Sequence, residues 1–128
     1  MKLIRHVKPF HVDKRGKMIY LIEESVPIQS VLYITSKKGS IRANHIHNKD
    51  SHYSYMLKGS MEYSYKKGED DKNPVKSVTV KEGEMVFTPP HEAHAMRFLE
   101  DSVFLAFTTE KRKKSKYEAD LRRIDLIK

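Results

Sequence analysis

Short segments with the character of β-strands recur along the whole chain, and this pattern limits the fold more than any other feature. Each segment alternates apolar residues or is rich in β-branched and aromatic ones, and Gly, Pro, Asn and Asp separate the segments. Many short strands joined by turn residues are typical of an all-β sandwich or barrel. The sequence predicts strands at 2–7, 17–24, 28–36, 41–48, 52–58, 60–66, 75–81, 84–88, 93–99 and 102–109.

The segments between these strands carry their own signals. Gly59 lies between two strand-like runs and predicts a tight hairpin at 58–60. The stretch 67–74 is polar throughout and predicts an exposed connection. Only Lys113 to Arg123 combines good helix formers with apolar residues at helical spacing, so a short C-terminal helix is expected on the outside of the barrel.

The length of 128 residues fits one compact domain spanning 1–128. The chain has no cysteine, which excludes disulfides and thiolate metal sites and is compatible with the cytoplasm. The first ten residues lack the apolar stretch of a signal peptide, and no run approaches the roughly 20 apolar residues of a membrane span. A soluble, unexported, cytoplasmic protein is therefore expected.

The formal net charge is +8, and some of the basic residues fall in short local groups. These are Lys37-Lys38, Lys66-Lys67 and Lys111 to Lys114, with acidic residues between them. The simplest interpretation is a solvated exterior, and a phosphate-bearing ligand is the second. We find no nucleic-acid-binding motif, so nucleic acid is not expected as a partner.

The histidines are unevenly placed, since five of the seven lie between positions 45 and 94. Because side chains alternate faces along a strand, His45 and His47 project from the same side. His52 opens the next predicted strand and reaches the same space if that strand pairs antiparallel. His94 comes from a distant strand, where Met96 and Phe98 share its face.

Four convergent imidazoles would hold a divalent transition metal such as zinc, iron, nickel or manganese, with positions left open for a ligand. The alternative for a His-x-His strand taken alone is a pair of half-exposed residues on a solvent face. For His52 the alternative is a substrate contact, and for His91 an exposed turn residue is the better interpretation.

Two spacings resemble the two sequence motifs of the cupins. Gly39, His45-Ile-His47, His52 and Gly59 follow the spacing of the first, with His52 where glutamate is usual. Gly83, Pro89 and His94 follow the second, although His91 and Phe98 depart from its glycine and asparagine. The resemblance implies a cupin β-barrel, an RmlC-like jelly roll, and a metal tetrad of His45, His47, His52 and His94.

Further elements resemble the sugar 3,4-ketoisomerases and related cupins of polysaccharide biosynthesis. Arg42-Ala-Asn-His45-Ile-His47 is the most diagnostic of them. The others are Asp13-Lys-Arg-Gly16, Glu23-Glu24 with Pro27-Ile28, Val31-Leu-Tyr-Ile34, and Tyr117-Glu-Ala-Asp120 before Arg122-Arg-Ile-Asp125. The resemblance extends over nearly the whole chain.

This second resemblance implies a homodimeric enzyme that binds a dTDP- or UDP-linked sugar and moves a proton between carbons beside a ketone. It places Tyr33, Arg42, His45 and His47 in the site. An imidazole that titrates near neutrality suits such a transfer, and a guanidinium suits a diphosphate or a developing enolate. The plainer interpretations are barrel core for Tyr33 and a strand-edge charge for Arg42.

His52 is the main departure, because those ketoisomerases work without metal and tend to have glutamine there. A histidine that coordinates a metal cannot also act as the base, which would then be Tyr33 or Glu62. Two other functions stay open, a metal-dependent cupin oxygenase and a non-catalytic sugar-binding cupin. We also expect the strand-like segment Lys2 to Lys8 to extend the sheet of a second copy.

Overall fold

The structure is a computed structural model that describes residues 1–5, 8–22, 26–111 and 118–128. This part of the chain consists almost entirely of β-strands. They are β1 (Lys2–Ile4), β2 (Pro9–Asp13), β3 (Gly16–Ile19), β4 (Ser30–Ser36), β5 (Ile41–His47), β6 (His52–Lys58), β7 (Ser60–Lys67), β8 (Lys76–Lys81), β9 (Met85–Thr88), β10 (Glu92–Phe98), β11 (Ser102–Thr108) and β12 (Leu121–Arg123).

The strands form two five-stranded sheets and one separate hairpin. The first sheet has the order β1-β9-β6-β11-β4, the second has the order β12-β5-β10-β7-β8, and β2 pairs with β3. All of these pairings are antiparallel. Since consecutive strands often lie in different sheets, the chain repeatedly crosses between the two layers.

The hydrophobic core lies between the two sheets. Met56 and Phe104 project into it from the first sheet, and Met61, Tyr63 and Phe98 project from the second. These five side chains are almost completely buried. Strand alternation explains this arrangement, because every second residue of each strand faces the opposing sheet. The predicted all-β barrel architecture is confirmed.

Most predicted strands are present, but the N-terminal region differs from expectation. The strand predicted at 17–24 ends at Ile19, and Pro9–Asp13 forms a strand that the alternation pattern did not predict. Of the segment Lys2 to Lys8, residues 2–4 pair with β9 of their own chain and form an edge strand of the first sheet. Residues 6, 7 and 23–25 lie outside the described part.

The predicted hairpin at 58–60 is wrong. β6 pairs with β9 and β11, whereas β7 pairs with β8 and β10, so the two strands beside Gly59 belong to different sheets. Gly59 is therefore a corner at which the chain passes from one sheet to the other. It has a φ of +88°, and a Cβ at this position would collide with the backbone of Asp101 and the side chain of Ser102.

The predicted C-terminal helix from Lys113 to Arg123 is confirmed only in part. Residues 118–120 are helical, and 112–117 lie outside the described residues. Leu121–Arg123 is a strand instead, because its backbone pairs with residues 45–47 of β5 and so covers that edge of the sheet. In the described ranges, no helix has the length and apolar character required to cross a membrane.

A comparison of two glycines tests the corner at Gly59. Gly39 and Gly59 both have left-handed φ angles, +84° and +88°, which cost an L-residue about 1–2 kcal/mol. A Cβ at Gly39 would meet nothing within 4 Å, whereas one at Gly59 would lie 2.7 Å from the Asp101 carbonyl oxygen. We expect Gly59→Ala to lose about 1–3 kcal/mol more unfolding free energy than Gly39→Ala in urea denaturation. Equal losses would contradict a tightly packed corner.

Candidate active site

A cavity of about 510 Å³ opens between the two sheets. Its wall combines apolar and polar residues, as in many small-molecule sites. The apolar lining residues are Leu32, Ile34, Ala43, Met96, Phe104 and Ala106. The polar ones are Arg42, His45, His52, Ser54, His94 and Glu118.

Three strands bring the four predicted histidines together. His45 and His94 are cross-strand partners on β5 and β10, and their ring centroids lie 4.7 Å apart. His47 lies two residues along β5, with its ring centroid 4.5 Å from that of His45. His52 reaches the cluster from β6 of the facing sheet, with its ring centroid 5.2 Å from that of His94. All four side chains are buried.

His94 is fully buried and its ring orientation is defined by one contact. Its Nδ1 lies 3.0 Å from the carbonyl oxygen of Glu92. A carbonyl can only accept, so Nδ1 carries the hydrogen and Nε2 keeps a lone pair, which makes no hydrogen bond to any described residue. Burial, together with the nearby His52 and His45, holds the pKa of His94 well below its usual range. His94 is therefore neutral at pH 7.

His47 is held by a carboxylate from the C-terminal segment. Its Nδ1 lies 3.2 Å from Asp120 Oδ2, so that Nδ1 donates and the lone pair is on Nε2. Asp120 also accepts hydrogen bonds from the backbone amides of Lys49 and Asp50, at 2.8 and 3.0 Å. One carboxylate thus fixes both the His47 ring and the loop that follows β5.

His52 has a second buried carboxylate beside it. Asp50 Oδ2 lies 3.8 Å from His52 Nδ1, beyond hydrogen-bond distance, and Asp50 Oδ1 accepts from the backbone amide of Glu110 at 3.2 Å. His47, Asp50 and His52 form one group of ligand atoms that lie within 4.8 Å of one another. The ligand atom of His52 therefore belongs to a group with His47 and Asp50, whereas the group of His45, His47 and His94 does not include it.

An irregularity in β5 aligns Arg42 with the histidines. His94 pairs with His45, but Ala95 pairs with Ala43, so Asn44 is an extra residue and forms a β-bulge. Ala43 and Asn44 both have positive φ angles, 66° and 58°. In a regular strand, residues 42 and 45 would face opposite sides. The bulge puts both into the cavity lining.

Arg42 is held against the neighbouring sheet. Its Nε donates to Ser36 Oγ at 2.7 Å, and its Nη2 donates to the carbonyl oxygen of Thr35 at 2.8 Å. The guanidinium has five N–H donors, so these two bonds orient it without using its full capacity. Arg42 is thus more than the strand-edge charge of the plainer interpretation.

The bulge residue Asn44 also anchors the C-terminal segment. Its Oδ1 accepts from the backbone amides of Leu126 and Ile127 at 2.9 and 3.1 Å, and its Nδ2 donates to the carbonyl of Ile127 at 2.9 Å. Its carbonyl oxygen accepts from the amide of Ile124 at 2.9 Å. These bonds hold the segment that carries Glu118 and Asp120 against β5.

Tyr63 supports His94 from the core. The two rings are stacked, with centroids 6.1 Å apart. The Tyr63 hydroxyl lies 2.6 Å from Thr88 Oγ1 and donates to Glu92 Oε1 at 3.0 Å. Burial and the Glu92 carboxylate raise the pKa of Tyr63 well above its usual value. Tyr63 is therefore a protonated structural residue and not a base.

The structure does not bring every candidate to the cavity. Tyr33 lies on the outer face of β4 and is 68% exposed, because its neighbours Leu32 and Ile34 take the inward positions. It is neither core nor cavity lining in this chain. Glu62 also points outward, since Met61 and Tyr63 face the core. His91 is exposed in a turn, as predicted.

The histidine cluster has the chemistry of a metal site. The ligand atoms of His45, His47 and His94 lie within 4.8 Å of one another. Two of these rings have Nδ1 directed at a carboxylate or carbonyl, which is the usual outer contact of a metal-binding histidine. The buried Nε2 lone pair of His94 has no hydrogen-bond partner in the described chain, so these residues fit a bound metal.

Three acidic residues of the site were not assigned roles from the sequence. Asp120 and Glu118 fall in the Tyr117-Glu-Ala-Asp120 element that resembles the ketoisomerases, and that resemblance was their only signal. Asp50 follows the His45-Ile-His47 strand in a polar loop, and nothing in the spacing distinguished it from an exposed turn residue.

Two facing antiparallel sheets with a histidine cluster between them define a jelly-roll barrel with an internal cavity. The family model described as Cupin domain matches residues 32–108, which include all four histidines of the cluster. The chain therefore belongs to the cupin family.

Several solved structures are similar to this chain. A double mutant of the QdtA 3,4-ketoisomerase from Thermoanaerobacterium thermosaccharolyticum in complex with TDP is 27% identical, with a TM-score of 0.74, covering 95% of this chain and 86% of that one. A point mutant of QdtA in complex with TDP-4-keto-6-deoxyglucose is 23% identical, with a TM-score of 0.73 and the same coverage.

A third structure extends the similarity to an epimerase. The dTDP-4-dehydrorhamnose 3,5-epimerase from Sulfolobus tokodaii is 20% identical, with a TM-score of 0.73, covering 92% of this chain and 75% of that one. Comparison with curated protein sequences finds no significant match. The three solved structures are thus of a 3,4-ketoisomerase and of a dTDP-sugar epimerase.

Proposed function

We propose that this protein is an isomerase or epimerase that acts on a nucleotide-linked keto sugar and transfers a proton next to the carbonyl. The observation that carries the proposal is the cavity itself, in which buried histidines and Arg42 meet an apolar wall. The similarity to a TDP-bound 3,4-ketoisomerase over 95% of the chain supports the same substrate class.

His45 and His47 are the proposed acid–base pair. His45 lines the cavity, and His47 lies behind it with Nδ1 held by Asp120. A carboxylate behind an imidazole fixes the tautomer and stabilises the ring when it takes up a proton. This arrangement suits an imidazole that removes a proton from the carbon beside the ketone and returns it to the neighbouring carbon.

Arg42 has the proposed role of binding the anionic part of the ligand. Its guanidinium lies at the cavity wall and is oriented by Ser36 and Thr35. A guanidinium binds diphosphate through charge-assisted hydrogen bonds and can also stabilise a developing enolate. We assign no step to Tyr33, because its side chain lies on the outer face of the barrel.

As an alternative use of the same histidines, we propose that they hold a divalent transition metal, zinc, iron, nickel or manganese, and in that case His45 and His47 would not act as the acid–base pair. His45, His47 and His94 would supply three nitrogens and His52 a fourth. When bound, such a metal supplies Lewis-acid polarisation of the ketone. Asp120 and the Glu92 carbonyl would orient the rings of His47 and His94 from outside the cluster.

The proposed activity is tested with TDP-4-keto-6-deoxyglucose. We expect the wild-type protein to convert it to an isomer or epimer, detected by proton NMR. Because His45 is assigned to proton transfer, His45→Asn should reduce kcat by roughly 10²- to 10⁴-fold while TDP binding persists. His91→Asn is the matched control, since His91 is an exposed turn residue with a φ of 64° that asparagine tolerates. Binding of TDP without turnover by the wild type would favour a non-catalytic cupin.

The metal proposal is tested by elemental analysis of protein purified without a histidine tag or added metal. We expect near-stoichiometric metal in the wild type and in His91→Asn, and a clear loss in His52→Gln. Unchanged metal content in His52→Gln would exclude His52 as a ligand. No metal after reconstitution would contradict the site as a whole. Iron, with oxygen uptake and no keto-sugar turnover, would support the oxygenase alternative.

We further propose that the protein is a homodimer and that it works in the cytoplasm. The outer face of the first sheet exposes Val31, Tyr33 and Leu57, at 59%, 68% and 39%. Apolar side chains grouped on one sheet face are typical of a protein–protein interface. We expect the wild type to sediment as a dimer at micromolar concentration and Tyr33→Glu to shift it toward monomer, with Leu99→Glu as an exposed control. A monomeric wild type would contradict this part.

A further inference from the structure

Glu118 is the only acidic residue among the described residues that line the cavity. It shares this wall with Arg42, His45, His52 and His94, and its side chain is exposed to solvent. Asp120, the other carboxylate of this segment near the histidines, is already engaged, since it accepts hydrogen bonds from His47 and from two backbone amides. Glu118 and Asp120 belong to the same helical turn, 118–120.

The turn at 118–120 contributes two carboxylates, one to the histidine cluster and one to the cavity wall. Asp120 lies behind the His47 ring, where it cannot meet a ligand, whereas Glu118 lines the cavity itself. The Asn44 bonds to Leu126 and Ile127 hold the following segment on β5. The turn that carries Glu118 leads directly into β12, which pairs with the same bulged strand, β5.

A keto-sugar isomerisation requires two kinds of proton movement. The C–H bond beside the carbonyl breaks, its electron pair forms the carbon–carbon double bond of an enediol, and the former carbonyl oxygen takes up a proton. The neighbouring hydroxyl then loses its proton, its O–H electron pair forms the new carbonyl, and the double-bond electrons form a C–H bond at the other carbon. Protons and electrons balance without a co-reactant.

Histidines are assigned to the carbon-bound proton, which leaves the transfer between the two oxygens without a residue. We infer that Glu118 is the catalytic residue that moves the hydroxyl proton between these oxygens, an inference that rests on the proposed function. Its carboxylate can accept a proton from one hydroxyl and donate it to the adjacent oxygen. Neither Tyr33 nor Glu62 offers this, because both face away from the cavity.

The experiment compares Glu118→Gln with the wild type and with Glu82→Gln, an exposed glutamate in the turn before β9. Three quantities are measured: the TDP dissociation constant, net isomerisation of TDP-4-keto-6-deoxyglucose, and exchange of the hydrogen beside the carbonyl with deuterated water. We expect Glu118→Gln to lower net isomerisation at least ~100-fold. Exchange and TDP affinity should stay within about threefold of wild type, because the histidines and Arg42 are intact.

The other outcomes are separable. Unchanged isomerisation in Glu118→Gln would overturn this inference and leave the proposed function standing. A parallel loss of exchange and isomerisation would also overturn it, since Glu118 would then act on the carbon-bound proton or on folding, and a melting temperature distinguishes these. A wild type that neither isomerises nor exchanges the substrate would overturn the proposed function and this inference together.

Discussion

One extra residue in β5 determines how the site is built. The bulge at Asn44 reverses the facing of the strand between residues 42 and 45, so that an arginine and a histidine three positions apart line the same cavity. It requires left-handed backbone at Ala43, which costs an alanine about 1–2 kcal/mol. The hydrogen bonds of Asn44 to the C-terminal segment offset this cost, so geometry and stability depend on the same residue.

The electrostatic character of the cavity follows from where its carboxylates lie. The histidines are buried, and His94 is held neutral, so His94 contributes a lone pair and no fixed charge. Asp50 and Asp120 lie outside the ring of imidazoles, where they act on ring orientation and loop conformation. Arg42 and Glu118 are the charged groups of the lining itself. Such a lining suits a ligand with an anionic group, which Arg42 could bind, and hydroxyl groups, which Glu118 could bind.

Sequence spacing predicted that four histidines come together, and the structure places their rings in one cluster, but the spacing gave little indication of the residues around them. Glycine and histidine spacing identified His45, His47, His52 and His94, because motif distances survive even when the strand pairing is unknown. The predicted hairpin at Gly59 was wrong, since a local turn signal cannot show whether two strands pair or change sheets. Arg123 was assigned to a helix because its pairing with His45 is a contact between distant parts of the chain. Side chains alternate faces along β4, so Tyr33 points outward because Leu32 points inward. The resemblance to the ketoisomerases placed Tyr33 in the site without taking this alternation into account.

The docking of residues 118–128 on β5 has a thermodynamic consequence. A ligand that contacts Glu118, or that needs the His47 ring fixed by Asp120, binds well only to chains in which this segment is in place. Ligand occupancy and segment docking are then linked equilibria, and each favours the other by the same factor. Ligand binding would therefore stabilise the docked segment, because the segment that supplies β12 to the sheet also supplies Glu118 to the cavity wall.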